Sequence, residues 1–94
     1  MGNAAKLGDI GTEHDGYHKT PIIAGSSTIR IDGKPAARKG DPLAPHDKPS
    51  SSKHNRNIKN GSGSVFFDGK PAARTGNDIT CGGVVIGSGT VTVG

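Results

Sequence analysis

An all-β fold built from repeated hairpins is what this sequence predicts, on three observations. The seven residues Asp32-Gly33-Lys34-Pro35-Ala36-Ala37-Arg38 return letter for letter as Asp68-Gly69-Lys70-Pro71-Ala72-Ala73-Arg74, and so exact a repeat in a short chain marks one structural unit used more than once. Apolar residues alternate ahead of each copy, at Ile29 and Ile31 and at Val65 and Phe67, and again at Val91 and Val93 near the end of the chain; alternation is the period of a strand with one face on a core. The chain holds 16 glycines and 6 prolines, and no stretch of about ten residues or more has helical periodicity.

Taken in order, residues 1–7 read as a short polar lead-in, and residues 1–94 as one domain of three copies. Repeat 1 spans about 8–39, repeat 2 about 40–75, and a truncated repeat 3 about 76–94. Gly8-Asp9 opens the first and matches Gly40-Asp41 and, with one residue inserted, Gly76-Asn77-Asp78. A loop with His14, Tyr17 and His18 follows, and Thr20 to Ala24 is predicted as a strand leading into Gly25-Ser26. Asp32-Gly33 and Asp68-Gly69 favour tight two-residue turns with positive φ. Pro35 and Pro71 lack an N–H, so the returning strand is expected at an edge or with that position turned away from its partner. Between Gly40 and Asn60 three prolines and a serine run predict the longest irregular stretch, pinned by His46 and His54. Cys81-Gly82-Gly83 then leads to Val84-Val85-Ile86 and to a last strand, Thr90 to Val93, which stops where a third turn would begin.

The composition limits what can hold such a chain together. Leu, Ile, Val and Phe supply only 17 of 94 residues, and there is no Trp. Domains this small and lean recruit a disulfide, a metal or a partner, and a single cysteine leaves the last two. The net charge of +4 does not force disorder. The charges are scattered and three aromatics make a poor stacking platform, which argues against nucleic acid. The sequence shows no apolar run of membrane length, no signal-type apolar region and no myristoylation pattern, so the expected starting place is the cytoplasm.

The residues able to do chemistry fall at repeat-related positions. His14 lies five residues after Asp9 and His46 five after Asp41; His18 lies seven before Gly25 and His54 seven before Gly61; Cys81 lies six before Gly87. All five therefore occupy the loops between a Gly-Asp step and a Gly-Ser step, and if the copies surround a pseudo-threefold axis these loops meet at one end. Imidazole nitrogen and thiolate sulfur are ligands of tetrahedral zinc, and a metal tying three loops supplies folding free energy that the core lacks. Five candidates exist for four places; the alternative is ordinary loop histidines and a Cys81 that packs as a small hydrophobe. Catalysis by Cys81 with a histidine and Asp78 is disfavoured, because the chain is small for a cleft and no catalytic-cysteine signature is present. The Gly-Ser-Gly steps lack the following helix that a phosphate loop needs. Arg38 and Arg74 suit bracing of the hairpins, since a planar fork recurs in each copy.

At Pro35-Ala36-Ala37-Arg38 and Pro71-Ala72-Ala73-Arg74 the sequence resembles the PAAR-repeat family, and the resemblance runs from Gly8 to Gly94. It implies a small conical β-protein, non-enzymatic, that caps the trimeric β-helical spike of a type VI secretion system or a contractile phage tail. The implied zinc, one structural ion near the apex, takes three histidines and a cysteine. Carried over by position these are His14, His46, His54 and Cys81, with His18 as a possible substitute for His14. The implied partners are one trimeric valine-glycine repeat protein (VgrG) bound at the wide base, effector proteins travelling on the spike, and transient contact with a target membrane when the spike is fired out of the cell or virion. The alternative within the resemblance is a zinc-stabilised adaptor that mainly recruits effectors.

Overall fold

The structure is a computed structural model that describes residues 2–13, 17–48 and 51–94; of residues 47–48 and 51–54 it describes the backbone only. The described residues form short β-strands and no helix: β1 (Gly2–Asn3), β2 (Ile10–Gly11), β3 (Thr20–Pro21), β4 (Arg30–Ile31), β5 (Lys34–Pro35), β6 (Pro42–Lys48), β7 (Ser51–Asn57), β8 (Phe66–Phe67), β9 (Lys70–Pro71), β10 (Val85–Ile86) and β11 (Thr92–Val93). The fold is thus all-β, as the sequence predicts, and no helix is long and apolar enough to cross a membrane. The molecule measures 39 × 22 × 21 Å, nearly twice as long as it is wide.

Two-residue strands cannot hold a hairpin by themselves, so the bonds between copies decide the fold. The repeated Asp-Gly pairs make the turns: Asp32 and Gly33 have φ of 52° and 80°, Asp68 and Gly69 of 55° and 77°. These values bring β4 onto β5 with Ile31 opposite Lys34, and β8 onto β9 with Phe67 opposite Lys70. Each proline uses only its carbonyl toward a neighbour, Pro35 accepting from Leu7 N–H at 2.9 Å and Pro71 from Lys39 N–H at 2.8 Å.

The third hairpin closes through the other end of the chain. β1 pairs antiparallel with β11, Gly2 opposite Val93 and Asn3 opposite Thr92, in the register that Lys34 and Pro35 take against Ile31 and Arg30. Residues 2–7 are therefore no polar lead-in, which corrects the sequence reading of residues 1–7 for the described part. Ala4 and Ala5 are fully buried, as are Ala36, Ala37, Ala72 and Ala73, and Thr75 N–H donates to Asn3 O at 3.0 Å, as Leu7 does to Pro35. The signal was present in Ala4-Ala5-Lys6-Leu7-Gly8-Asp9, which matches Ala36-Ala37-Arg38-Lys39-Gly40-Asp41.

The alanine pairs close a ring. Ala5 N–H donates to Ala73 O, Ala73 to Ala37 and Ala37 back to Ala5, each at 3.0 Å. Only alanine-sized side chains allow three backbones to come this close. Successive side chains of extended backbone point opposite ways, so the ring has an apolar cluster on each side. Ala4, Ala36 and Ala72 pack with Ile31 and Val93, and with the half-buried Ile29, Val65 and Phe67. Ala5, Ala37 and Ala73 pack with Ile22, Leu43, Ile58, Ile79 and Val85.

Residues 40–60 depart from the sequence reading, which made them irregular. β6 and β7 form an antiparallel hairpin with Pro42 opposite Asn57, Leu43 opposite Arg56, His46 opposite His54 and Lys48 opposite Ser51. Proline forbids an N–H donor but not an extended φ. Pro42 presents its carbonyl to Ile23 N–H at 3.0 Å, and Pro45 falls where the register shifts between Leu43 and His46, a bulge that needs no ladder bond. Leu43 and Arg56, both buried, tie the base of this hairpin to the core.

Candidate metal centre

The Gly-Asp steps set the loops at a common angle. Lys6 N–H donates to Asp9 Oδ2 at 2.9 Å, Arg38 N–H to Asp41 Oδ2 at 2.8 Å and Arg74 N–H to Asn77 Oδ1 at 2.7 Å. Gly8, Gly40 and Gly76 N–H then donate to Ile22, Ile58 and Val85 O at 2.8–2.9 Å. These bonds direct each loop away from the alanine ring toward the same end. Arg38 braces as expected, forking onto Asp41 at 3.0 and 2.9 Å and reaching Asp68 at 3.1 Å, whereas the Arg74 side chain makes one 3.4 Å contact with Asn77 Oδ1. The Asp41 hydrogen bonds, with Asp68 beside them, push the Arg38 guanidinium above its ordinary value.

Beyond that level the copies stop being alike. Gly11, Leu43 and Ile79 follow the three Asx residues closely, and a methyl group at Gly11 would overlap Leu43 Cδ2 and Ile79 Cδ1. Thr20, Arg56 and Gly83 stand two residues before Ile22, Ile58 and Val85. Of these only Arg56 is large. It is wholly buried and fills space that the other two leave.

His46 and Cys81 meet above Arg56. His46 is buried, its Nδ1 lies 2.8 Å from His18 O and its Nε2 lies 3.5 Å from Cys81 Sγ. A carbonyl accepts only, so Nδ1 carries a proton, and Nε2 is the ring nitrogen that faces the sulfur. Tyr17 stacks on the His46 ring, with centroids 4.7 Å apart and planes at 27°. Cys81 is half-buried, packs against the loop-side core cluster and accepts from Arg56 Nε at 3.3 Å.

The other predicted ligands stand as follows. His14 lies outside the described residues, and of His54 the backbone alone is described, directly opposite His46 in the β6–β7 ladder. His18 is exposed, with its ring edge-on to His46 at 6.3 Å, and its main-chain carbonyl makes the contact with His46. Among the described residues no three His, Cys, Asp or Glu side chains form a cluster. The pair that is described fits zinc in kind and spacing: bond lengths of about 2.3 Å to sulfur and 2.0–2.1 Å to nitrogen in a tetrahedron separate the two donors by about 3.5 Å. A carbonyl fixing the remote ring nitrogen is what a zinc-binding imidazole requires.

The hairpin end carries a different chemistry. Asp68 accepts from Ser26 and Thr28 hydroxyls. Asp32 accepts from Thr90, through N–H at 2.9 Å and Oγ1 at 2.6 Å. Hydrogen bonds from Ser26 and Thr28, and then the Arg38 charge, hold the Asp68 carboxyl below its ordinary value; Thr90 does the same for Asp32. Each turn thus clasps the next copy.

Fold and site together define a class: a small all-β repeat protein, closed on itself through its ends, alike in its three parts at one end and unlike at the other. The chain belongs to the PAAR motif family, whose model matches residues 12–87, a structural spike-tip family of type VI secretion systems and phage tails. No curated protein matches the chain.

Arg56 is the site residue that sequence reasoning missed. Its copies are Thr20 and Gly83, so no repetition pointed to it. Its signal was the placing of an arginine two residues before a core isoleucine, on the inward face of a strand.

Proposed function

We propose that this protein is the non-enzymatic tip of a contractile spike, seated by its hairpin end on a trimeric VgrG-like protein, one copy per trimer. In this reading the three copies surround a pseudo-threefold axis, and one structural zinc ion, held by His46, Cys81, His54 and His14, fastens the opposite end. The single observation that carries it is the 3.0 Å ring of Ala5, Ala73 and Ala37, which relates the copies in cyclic order. A trimer has three equivalent edges to offer, and three hairpins in cyclic order are the matching surface.

The physical role follows from the two ends. At the hairpin end, Phe66 and Val91 are about half exposed, and backbone edges of short strands are available for pairing with a spike's own strand ends. At the loop end, zinc would supply cross-links between copies that are otherwise joined by few side chains. Rigidity at that end is what penetration of a membrane needs; no bond is made or broken. Effectors would ride beside the loop end, where Ile10, Thr12, Glu13, His18, Lys19 and Ile86 line an open depression of about 550 Å³.

Mixing the purified protein with a trimeric VgrG tip tests the docking. The expected result on a sizing column with light scattering is a single species of one chain per trimer; separate elution at micromolar concentrations overturns it. Elemental analysis is expected to return one zinc per chain.

A further inference from the structure

We propose that Arg56 is the positioning residue that assembles the loop end before any metal is bound, so that the ion meets a site already shaped for it. This deepens the zinc reading and rests on it. Arg56 projects from β7, in the second copy, and all five N–H donors of its guanidinium are used. Nη1 donates to Gly11 O at 3.2 Å and Thr20 Oγ1 at 3.1 Å, both in the first copy. Nη2 donates to Thr12 O at 2.7 Å, in the first copy, and to Gly82 O at 3.1 Å, in the third. Nε donates to Cys81 Sγ at 3.3 Å. One side chain therefore joins all three copies.

The geometry explains why it must be arginine. Five acceptors from two directions need a planar fork; a lysine offers three donors at one point and cannot reach both sides. The surrounding positions are shaped to admit it: a Cβ at Gly83, where φ is +83°, would stand 2.9 Å from Arg56 Nη2 and 2.6 Å from Thr12 O. Without the fork, the buried carbonyl of Gly11 and the half-buried carbonyls of Thr12 and Gly82 would lose a donor, and an unmet polar group away from water is costly. With it, Arg56 Nε holds Cys81 Sγ at 3.3 Å, and that sulfur stands 3.5 Å from His46 Nε2.

The test compares wild type, Arg56→Lys, Thr20→Val, and Ile31→Val as a control in the cluster on the far side of the alanine ring. Zinc affinity is read by competition with a chromophoric chelator. Order at the loop end is read by amide exchange of Thr12 and Gly82 in metal-free protein. Arg56→Lys is expected to bind zinc about 10–100-fold more weakly, the usual effect of removing a residue that orients a ligand, and to lose exchange protection at both amides when metal-free. Ile31→Val should lower the melting temperature and leave zinc affinity unchanged. An Arg56→Lys protein that binds zinc within about threefold of wild type overturns the proposal. If Arg56→Lys does not fold even with zinc, Thr20→Val decides: a several-fold weaker affinity supports the proposal, an unchanged one overturns it. A wild-type protein that takes up no zinc overturns the metal reading instead, and the metal-free exchange measurement then upholds or removes the role of Arg56 alone.

Discussion

Ala5, Ala37 and Ala73 exchange three bonds of one length, 3.0 Å, whereas the inward positions of the loop end hold Thr20, Arg56 and Gly83, a hydroxyl, a guanidinium and no side chain at all. The hairpin side is built by repetition: two Asp-Gly turns with the same dihedrals, a third hairpin made by the chain's two ends, and a clasp from each turn aspartate to the next copy. The loop side is built by complementarity: Gly11 leaves room for Leu43 and Ile79 in one layer, and Thr20 and Gly83 leave room for Arg56 in the next. Repetition makes like hairpins at little cost in sequence. Difference is needed wherever a single object, a guanidinium or an ion, must sit on or near the line where three copies meet, because three identical side chains cannot all occupy it.

Loss of the proposed ion should have the largest effect, and at the loop end. If zinc fastens the unlike end, a strong chelator or Cys81→Ser should remove several kcal/mol, lowering the melting temperature by roughly 15 °C or more, while the hairpin-end amides keep the longest exchange protection. A melting curve that does not change, in a sample without zinc, would show that the loop end stands on Arg56 and packing alone.

A smaller change probes the layers. Gly11→Ala adds one methyl against Leu43 Cδ2 and Ile79 Cδ1, and overpacking of this kind costs roughly 1–3 kcal/mol. Thermal melts should show it, and Leu43→Ala in the same chain should recover part of the loss by vacating the space; purely additive losses would contradict the layer description.

Acid should loosen the hairpin end first. The Asp32 and Asp68 carboxyls are held below the ordinary 3.8, so the stability they contribute is complete above that pH and is lost as pH falls through their folded values. Both are exposed, so the effect is modest. The melting temperature of Asp32→Asn with Asp68→Asn should therefore vary less below pH 3.8 than that of wild type; equal slopes would rule out these clasps as its source.

The mildest change is a rearrangement of the chain. Gly2 faces Val93 as Lys34 faces Ile31. Joining Gly94 to Met1 and opening the chain between Asp68 and Gly69 should give a folded protein melting within a few degrees of wild type. A permutant that fails to fold would show that the three hairpins are not interchangeable.

How much of this was legible in advance depends on the residue. Asp32-Gly33 and Asp68-Gly69 dictate their turns locally, since both residues of each pair must accept positive φ, and the repeated apolar alternation sets which face of each hairpin is inward. The spacing of His46 and Cys81 from their repeat landmarks placed both in loops of the same kind, and the structure brings them to 3.5 Å. Ala4 and Ala5 were misread because two alanines carry little local signal. Residues 42–57 were misread because prolines and serines describe local preference, while the pairing of β6 with β7 is enforced by Leu43 and Arg56, whose burial depends on the other two copies.

The amino-acid order alone therefore determined the repeating unit, its turns and its strand faces, because those depend on neighbours a few residues away. Long-range packing is what makes residues 2–3 complete the last hairpin, joins three alanine pairs in the ring, and encloses Arg56 among Gly11, Thr12, Thr20, Cys81 and Gly82. Those contacts join residues 25 to 91 positions apart in the chain, and they exist only once three copies have closed on one another.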